Sequence, residues 1–143
     1  MKKLVFLILP FLLLPAISFA KSYGDIQGVV YVRNYDGDTI TFNLLGLHPI
    51  IGDKISIRVN GIDTPEISGK CEKEKYDAQQ AKEMIADILK DAERIDLKNI
   101  ERGNYFRIVA DVFVDGENLA DELIEAGMAV PYDGGTKTHN WCE

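Results

Sequence analysis

Residues 29–44 read VVYVRNYDGDTITFNL. Four β-rich residues at 29–32 run into the turn Asp36-Gly37, after which apolar and polar side chains alternate from Thr39 to Leu44. A period of two is typical of a strand with one buried face, and a glycine permits a sharp chain reversal. The stretch therefore predicts a β-hairpin with acidic residues at its tip.

Strand signals continue beyond this hairpin and are interrupted by helical ones. Apolar side chains at 72–90 recur at helical spacing, a shorter helix is predicted at 119–126 with Gly127 as its C-cap, and the Gly- and Pro-containing segment 45–53 is typical of a loop. The predicted strand segments are 26–35, 39–44, 55–59, 94–100 and 107–114.

The order of these elements predicts the fold class α+β. Three short strands, a helix, two short strands and a second helix fit a small closed barrel with a helix at one end. This is the strand order of an oligonucleotide/oligosaccharide-binding (OB) barrel. We therefore predict a five-stranded OB-fold β-barrel with two or three helices.

The N-terminus has the features of a secretory signal. Lys2 and Lys3 precede an apolar run from Leu4 to Ile17, and in Ser18-Phe19-Ala20 the small residues at 18 and 20 fit a cleavage site. An anchoring helix is the alternative, but the run is shorter than the roughly 20 apolar residues that a bilayer needs and contains two prolines. We expect residues 1–20 to be a signal peptide and 21–143 to be one domain, exported to the periplasm or the medium, with no membrane segment.

The charge balance disfavours proteins that bind DNA tightly for storage. The chain has a formal charge of −7, and because the predicted signal contains two lysines and no acid, residues 21–143 carry 14 Lys and Arg against 23 Asp and Glu, or −9. Non-specific affinity for nucleic acid comes mainly from Lys and Arg that neutralise phosphates. Storage-type DNA binding is therefore disfavoured, whereas transient binding by an enzyme stays open.

Two cysteines, Cys71 and Cys142, lie in the part predicted to be exported. In an oxidising compartment we expect them to form a disulfide that ties the C-terminal tail to the segment after residue 66, although two unrelated surface thiols are the alternative. A loop of this length would contribute roughly 4 kcal/mol on the chain-entropy model. Trp141, beside Cys142, is expected to pack the tail, with base stacking as its alternative role.

Two acidic turns, at 36–39 and 63–66, supply the candidate chemistry. If their strands are neighbours, the carboxylates of Asp38 and Asp63 and the carbonyl of Thr64 could share one hard cation such as Ca²⁺. Glu66, beyond a proline that stiffens the turn, could orient or deprotonate a water molecule. Each turn taken alone is also a common loop sequence.

Two arginines on predicted strands complete this set. Guanidinium groups at Arg58 and Arg107 could hold the phosphoryl oxygens as charge develops in a transition state, although either could instead form an ordinary surface ion pair. Together with the acidic turns, they indicate metal-assisted hydrolysis of a phosphodiester.

The spacing of these motifs resembles that of the staphylococcal nuclease (thermonuclease) family. The resemblance runs over nearly all of residues 25–132 and rests on Asp36-Gly37-Asp38-Thr39, on Arg58 before Asp63-Thr64-Pro65-Glu66, on Tyr105-Phe106-Arg107, and on Asp115-Gly116-Glu117-Asn118-Leu119. It implies an OB barrel with helices and cleavage of DNA and RNA at the 5′ P–O bond, leaving 3′-phosphates.

The same resemblance implies a role for each site residue. Asp38, Asp63 and the Thr64 carbonyl would hold Ca²⁺, Glu66 would be the base, and Arg58 and Arg107 would be the catalytic arginines. Tyr105 would contact the nucleotide or its terminal phosphate, and Tyr132 would line the base pocket. The chain departs from the family at Phe106, where a glycine is usual, and at Asn104, where a lysine is usual, which predicts an altered nucleotide pocket.

We therefore predict an exported Ca²⁺-dependent nuclease that acts on DNA and RNA with little sequence preference, as a monomer with no stable protein partner. The alternative is a non-catalytic OB-fold module that binds single-stranded nucleic acid or oligosaccharide. The presence of both arginines, Glu66 and both metal-binding aspartates favours the enzyme. The acidic charge predicts weak substrate binding with a strong dependence on salt.

Overall fold

The computed structural model describes residues 22–143, which form eight strands and three α-helices. The predicted signal peptide at 1–20 lies outside the described residues. The strands are β1 (Val30–Asn34), β2 (Thr39–Asn43), β3 (Ile55–Val59), β4 (Ile62–Asp63), β5 (Ile95–Arg102), β6 (Ile108–Val114), β7 (Glu117–Asn118) and β8 (Val130–Pro131). The helices are α1 (Pro49–Gly52), α2 (Glu72–Asp91) and α3 (Leu119–Glu125), and a 3₁₀ turn spans Asn104–Phe106.

The main sheet has the strand order β1-β2-β3-β6-β5, and β7 pairs with β6. Neighbouring strands are antiparallel except for β3 and β6, which are parallel, while β4 and β8 form a separate antiparallel pair. The predicted hairpin is β1 and β2, and its alternating residues Ile40 and Phe42 are fully buried. The mixed α+β class is therefore confirmed, whereas the named strands follow an open path and do not by themselves show a closed barrel.

The segment ahead of β1 also forms backbone hydrogen bonds, and its partner is β5. Ile26 and Leu97 exchange two N–H···O bonds of 2.8 Å, and the amide of Val29 donates to the carbonyl of Ile95 at 2.9 Å. Residues 26–29 therefore link the two ends of the sheet path, because they are hydrogen-bonded to β5 and lead directly into β1.

The core lies between the sheet and the two longer helices. Apolar residues of β2 to β6 meet apolar residues of α2 and α3, and the largest fully buried members are Phe42, Ile40, Ile57, Ile62, Ile85, Leu97, Leu119 and Leu123. Burying such side chains contributes about 1.5–3 kcal/mol each relative to exposure. This packing fixes the ends of β2, β3 and β4, from which the acidic turns emerge.

Local signals explain where the helices begin and end. The side chain of Asn118 accepts a hydrogen bond from the amide of Ala120 at 2.9 Å and so caps α3. At the other end, Gly127 has φ +71° and the amide of Met128 donates to the carbonyl of Leu123 at 2.9 Å, which confirms the predicted glycine C-cap. No helix among the described residues is long and apolar enough to cross a membrane.

The prediction that 45–53 is only a loop was wrong in part, because it contains the four-residue helix α1. Pro49 lies in the first turn, where its fixed φ favours helix entry, and the imidazole Nδ1 of His48 accepts a hydrogen bond from the amide of Ile50 at 3.2 Å. A single helical turn is too short to produce a periodic hydrophobic signal. The prediction for this segment therefore rested on its Gly and Pro content, which is typical of a loop.

The predicted disulfide between Cys71 and Cys142 is present, with the two Cα atoms 6.0 Å apart. It joins the residue that caps α2 to the C-terminal tail across 71 positions of sequence. The tail is therefore held beside the second acidic turn.

Candidate active site

The first acidic turn is built by Asp36 and presents Asp38. The carboxylate of Asp36 accepts hydrogen bonds from the amides of Asp38 at 3.1 Å and Thr39 at 2.8 Å, as in an Asx turn. Asp38 then lies directly before β2 with only 3% of its surface exposed. The two aspartates of this motif thus differ in role, because one shapes the turn and the other points a buried carboxylate into the site.

Gly37 allows the two acidic turns to touch. A Cβ atom at this position would lie 2.8 Å from Cβ of Thr64 and 2.9 Å from its Oγ1, which is closer than carbon and oxygen atoms can approach. The absence of a side chain at Gly37 therefore lets Thr64 pack against the first turn. Asp63 precedes it at the end of β4, and its side chain is as deeply buried as that of Asp38.

Arg58 joins the two buried carboxylates. Its Nη1 donates to Oδ1 of Asp38 at 2.8 Å, and its Nη2 lies 4.0 Å from Oδ1 of Asp63. The register of the sheet explains this position, because Arg58 on β3 faces Thr39 on β2, one residue after Asp38. The guanidinium carbon also lies 6.0 Å from the ring centre of Tyr132.

Burial raises the pKa of Asp38 to about 6. The cost of removing a carboxylate from water is the largest contribution, and the charge of Asp36 adds to it, whereas Arg58 and the hydroxyl of Thr39 lower the pKa in part. In the absence of a bound cation, this carboxyl group therefore holds a proton more readily than an exposed aspartate does.

Lys137 is a site residue that sequence reasoning missed. Its Nζ lies 2.6 Å from Oδ1 of Asp63 and donates to Oε1 of Glu66 at 2.7 Å. Oδ1 of Asp63 is buried and, among the described residues, is paired with two cationic groups, the ammonium of Lys137 at 2.6 Å and Nη2 of Arg58 at 4.0 Å. Burial lowers the pKa of the Lys137 ammonium, but contact with both carboxylates outweighs burial and raises the pKa above its usual value.

The tail also covers the second oxygen of Asp63. The indole Nε1 of Trp141 donates to Oδ2 of Asp63 at 3.4 Å, and Lys73 on α2 donates to the carbonyl of Trp141 at 3.1 Å. The predicted disulfide was the one signal that could have found these contacts, because it returns the tail to Cys71, five residues after Glu66.

The donor set at these turns fits a hard divalent cation. Asp38 and Asp63 each present a buried carboxylate at one of the two turns, Thr64 of the second turn is also buried, and both carboxylates already bind cationic side chains. Such oxygen donors suit Ca²⁺ or Mg²⁺. A second group within residues 22–143, Cys71 with Glu74 and Cys142, has a compact arrangement, but its sulfurs are oxidised in the disulfide and cannot act as thiolate ligands.

The remaining predicted residues line an open cavity of about 540 Å³ beside the carboxylates, which we name the Tyr132 cavity. Arg58, Glu66, Tyr105, Arg107 and Tyr132 all border it. The ring of Tyr132 is oriented by a hydrogen bond from its hydroxyl to the carbonyl of Gly135 at 2.6 Å. The structure thus brings the predicted arginines, the predicted base and both predicted tyrosines to one surface, and their roles stay predictions.

A second groove of similar volume, which we name the Tyr35 groove, is lined in part by the same arginines. Its lining shares Arg58, Glu66, Arg102, Tyr105 and Arg107 with the Tyr132 cavity. Phe106 lines this groove and not the Tyr132 cavity, whereas Asn104 lines the Tyr132 cavity. The two departures from the family pattern therefore affect different surfaces.

Comparison with known families gives one match over most of the site. A family model described as "Staphylococcal nuclease homologue" matches residues 56–140, a range that includes Arg58, Asp63, Glu66, Arg107 and Tyr132. A comparison with curated proteins found no match.

Proposed function

Because the chain belongs to the family of staphylococcal nuclease homologues, whose members are generally nucleases, we propose that it is a Ca²⁺-dependent nuclease. It would hydrolyse phosphodiester bonds in DNA and RNA at the 5′ P–O bond, leaving 3′-phosphates, with low sequence specificity. The observation that carries this proposal is Arg58, which contacts a buried carboxylate pair and at the same time lines the cavity that contains Glu66 and Arg107.

Asp38, Asp63 and the carbonyl of Thr64 would hold the metal ion. When bound, Ca²⁺ supplies charge that polarises the substrate phosphate and lowers the pKa of a coordinated water. The burial of both carboxylates supports this assignment, because desolvated carboxylates need cationic partners and those present here, Arg58 and Lys137, leave room for a stronger one. Few protein ligands leave room for a phosphate oxygen.

Glu66 would act as the base, and the two arginines would bind the phosphate. Glu66 is half exposed at the border of the cavity, where its carboxylate can reach a water molecule in front of a bound phosphate. Arg58 and Arg107 would donate to the phosphoryl oxygens, whose charge increases in the transition state. Tyr105 and Tyr132 would contact the nucleotide in the Tyr132 cavity.

We also infer that the main sheet closes into an OB barrel and that the protein is exported. The hydrogen bonds from residues 26–29 to β5 support closure, because they join the two ends of the strand path. The disulfide between Cys71 and Cys142 supports an oxidising compartment.

The test is cleavage of plasmid and single-stranded DNA by the purified protein in Ca²⁺, in EDTA, and in Ca²⁺ with the variant Glu66→Gln. We expect Ca²⁺-dependent cutting that EDTA abolishes and that the variant reduces by a factor of about 10²–10⁴. Glu93→Gln, at a position that lines neither cavity, is the matched control and should cut normally. Intact DNA with folded, Ca²⁺-saturated protein would contradict the proposal and favour a binding module.

A further inference from the structure

The Tyr35 groove presents aromatic rings that the proposed mechanism does not use. Tyr35, at the end of the first hairpin strand, is 65% exposed, and Phe106, in the 3₁₀ turn, is 86% exposed. Both line the same groove of about 540 Å³. Large apolar rings that face water in one concave surface indicate a binding site more strongly than isolated exposed residues do.

The backbone holds Phe106 in an unfavourable conformation that keeps its ring outside the core. Tyr105 and Phe106 have φ values of +57° and +60°, in the left-handed region that bulky residues rarely adopt. Two hydrogen bonds secure the turn: Arg102 Nη1 donates to the carbonyl of Phe106 at 3.0 Å, and the amide of Gly103 donates to the carbonyl of Arg107 at 2.8 Å. Strain of this kind persists where the surroundings enforce it, often at ligand-binding sites.

The charge of the groove is opposite to that of the chain. Although the whole sequence has a formal charge of −7, the lining contains three arginines, Arg58, Arg102 and Arg107, against the two acids Asp36 and Glu66. The carboxylate of Asp36 accepts backbone amides within its turn, and Arg58 is paired with Asp38. Arg102 and Arg107 are therefore the two arginines of the lining that form no ion pair with a carboxylate of the described residues. A groove with aromatic rings and a local excess of arginine matches a ligand that has both a flat apolar face and phosphate groups.

We propose that the Tyr35 groove binds the nucleotide on the far side of the scissile phosphate, with its base stacked on Phe106 or Tyr35. This proposal rests on the proposed function. Arg58 and Arg107 belong to the lining of both grooves, so a strand whose scissile phosphate is held by these arginines can place one neighbouring nucleotide in each groove. A base can stack on a protein ring only when it is free of its partner strand, so the nucleotide in this groove must be unpaired.

The test compares two ligands in EDTA, where the strand stays intact, by fluorescence anisotropy with a labelled single-stranded tetranucleotide and by competition with a mononucleotide. The variants are Phe106→Ala, Tyr35→Ala and the conservative Phe106→Tyr. Tyr76→Ala is the matched control, because Tyr76 is an equally exposed tyrosine on α2 and lines neither groove. Circular dichroism verifies that each variant is folded.

We expect the two alanine variants to weaken tetranucleotide binding by a factor of about 5–150, as the loss of one stacked base predicts, and to leave mononucleotide binding unchanged. Phe106→Tyr and Tyr76→Ala should bind as the native protein does. Native affinity for the tetranucleotide in both alanine variants would overturn the proposal and leave the rings to another occupant, such as a protein. Cleavage in Ca²⁺ reports separately on the proposed function, because a protein that binds strands through these rings without cutting would contradict the nuclease and not the groove.

Discussion

The two sides of the candidate active site differ in how the fold holds them. Asp38, Asp63 and Thr64 are almost completely buried at the ends of strands. The acidic turns can contact each other because Gly37 has no side chain. Tyr105 and Phe106, by contrast, are 91% and 86% exposed in a turn of three residues. We name these two regions the carboxylate side and the aromatic turn.

This difference separates two physical tasks. Holding a divalent cation requires oxygens in fixed positions, and a packed core provides them at the cost of desolvating charge. Holding a flexible strand requires rings that the ligand can reach, and in the free protein these rings face water. Arg58 belongs to both regions, because it contacts the carboxylates and also lines both grooves.

Replacing Arg58 and Arg107 in turn by alanine tests this separation most strongly. We expect each variant to lose a factor of about 10³ in cleavage rate. Only Arg58→Ala should also lower the free energy of unfolding, by about 1–3 kcal/mol, because it leaves buried carboxylate oxygens without their donor. Arg107→Ala should stay within about 0.5 kcal/mol of the native protein, because its side chain is exposed.

The measurements are initial rates in saturating Ca²⁺ and urea unfolding in EDTA. Arg94→Ala removes a guanidinium that lines neither groove and serves as the control for both. Equal losses of stability in the Arg58 and Arg107 variants would show that the two regions are not held differently.

The pH dependence of stability without metal tests how much the buried, charged carboxylate of Asp38 lowers the free energy of unfolding. The pKa of Asp38 in the folded protein, about 6, exceeds its ordinary value of 3.8, so the fold favours the protonated form. The resulting stability is complete below about pH 4 and is lost as the pH rises through 6, a change of about 3 kcal/mol. Asp38→Asn should therefore be more stable than the native protein at pH 7.5 in EDTA and similar to it at pH 4.

Urea unfolding at pH 4, 5.5 and 7.5, followed by circular dichroism, gives this comparison. Asp53→Asn changes an exposed carboxylate after α1 and should reproduce the native pH dependence. If Asp38→Asn and the native protein lose stability in parallel between pH 4 and 7.5, burial of Asp38 carries no such cost.

The regular strands and helices could be predicted from the sequence because their apolar residues recur at a fixed spacing. The alternation of β2 and β3 and the helical spacing of α2 gave their positions within a few residues, and α2 was predicted at 72–90 and found at Glu72–Asp91. The short elements were missed, since α1, β4 and β8 have only two to four residues each and carry no period.

The candidate site was predictable where its motifs are local. Asp38, Asp63 and Glu66 belong to turns that can be recognised from a few adjacent residues, and the structure places them around Arg58 and Lys137. Lys137 was missed because its contacts join residues more than 70 positions apart, and only the disulfide indicates that the tail returns. The groove shared by Tyr35 and Phe106 is likewise a product of tertiary structure.

Gly37→Ala tests whether the close contact of the acidic turns is needed on the carboxylate side. The added methyl group would overlap the side chain of Thr64, so the turns must separate, and we expect unfolding to become about 1–3 kcal/mol easier. Ca²⁺ affinity, measured by calorimetry, should fall because the two carboxylates move apart. Single-stranded tetranucleotide binding in EDTA should hardly change, since Gly37 lines neither groove.

Gly28→Ala is the control for loss of a glycine. Gly28 has φ +67°, and no atom lies within 4 Å of the place that an added methyl group would take, so alanine there costs about 1 kcal/mol through backbone strain alone. We expect it to destabilise the protein without changing Ca²⁺ affinity. An unchanged affinity in Gly37→Ala would mean that the separation of the turns does not matter for the cation.

Lys137→Met makes the smallest and most specific change to the carboxylate side. The Lys137 ammonium now balances the charge of Asp63 and Glu66, and a cation held by Asp63 must compete with it. Removing the ammonium should tighten Ca²⁺ binding by up to about fivefold, the size expected for a partly exposed ion pair. Trp141 is the chain's single tryptophan and contacts Asp63, so its fluorescence can report binding without any cleavage. Lys90→Met removes the same charge from an exposed site on α2. It controls for the effect that losing any one positive charge has on Ca²⁺ affinity. Equal Ca²⁺ affinity in the two variants would show that Lys137 does not compete with the cation and only orients Glu66.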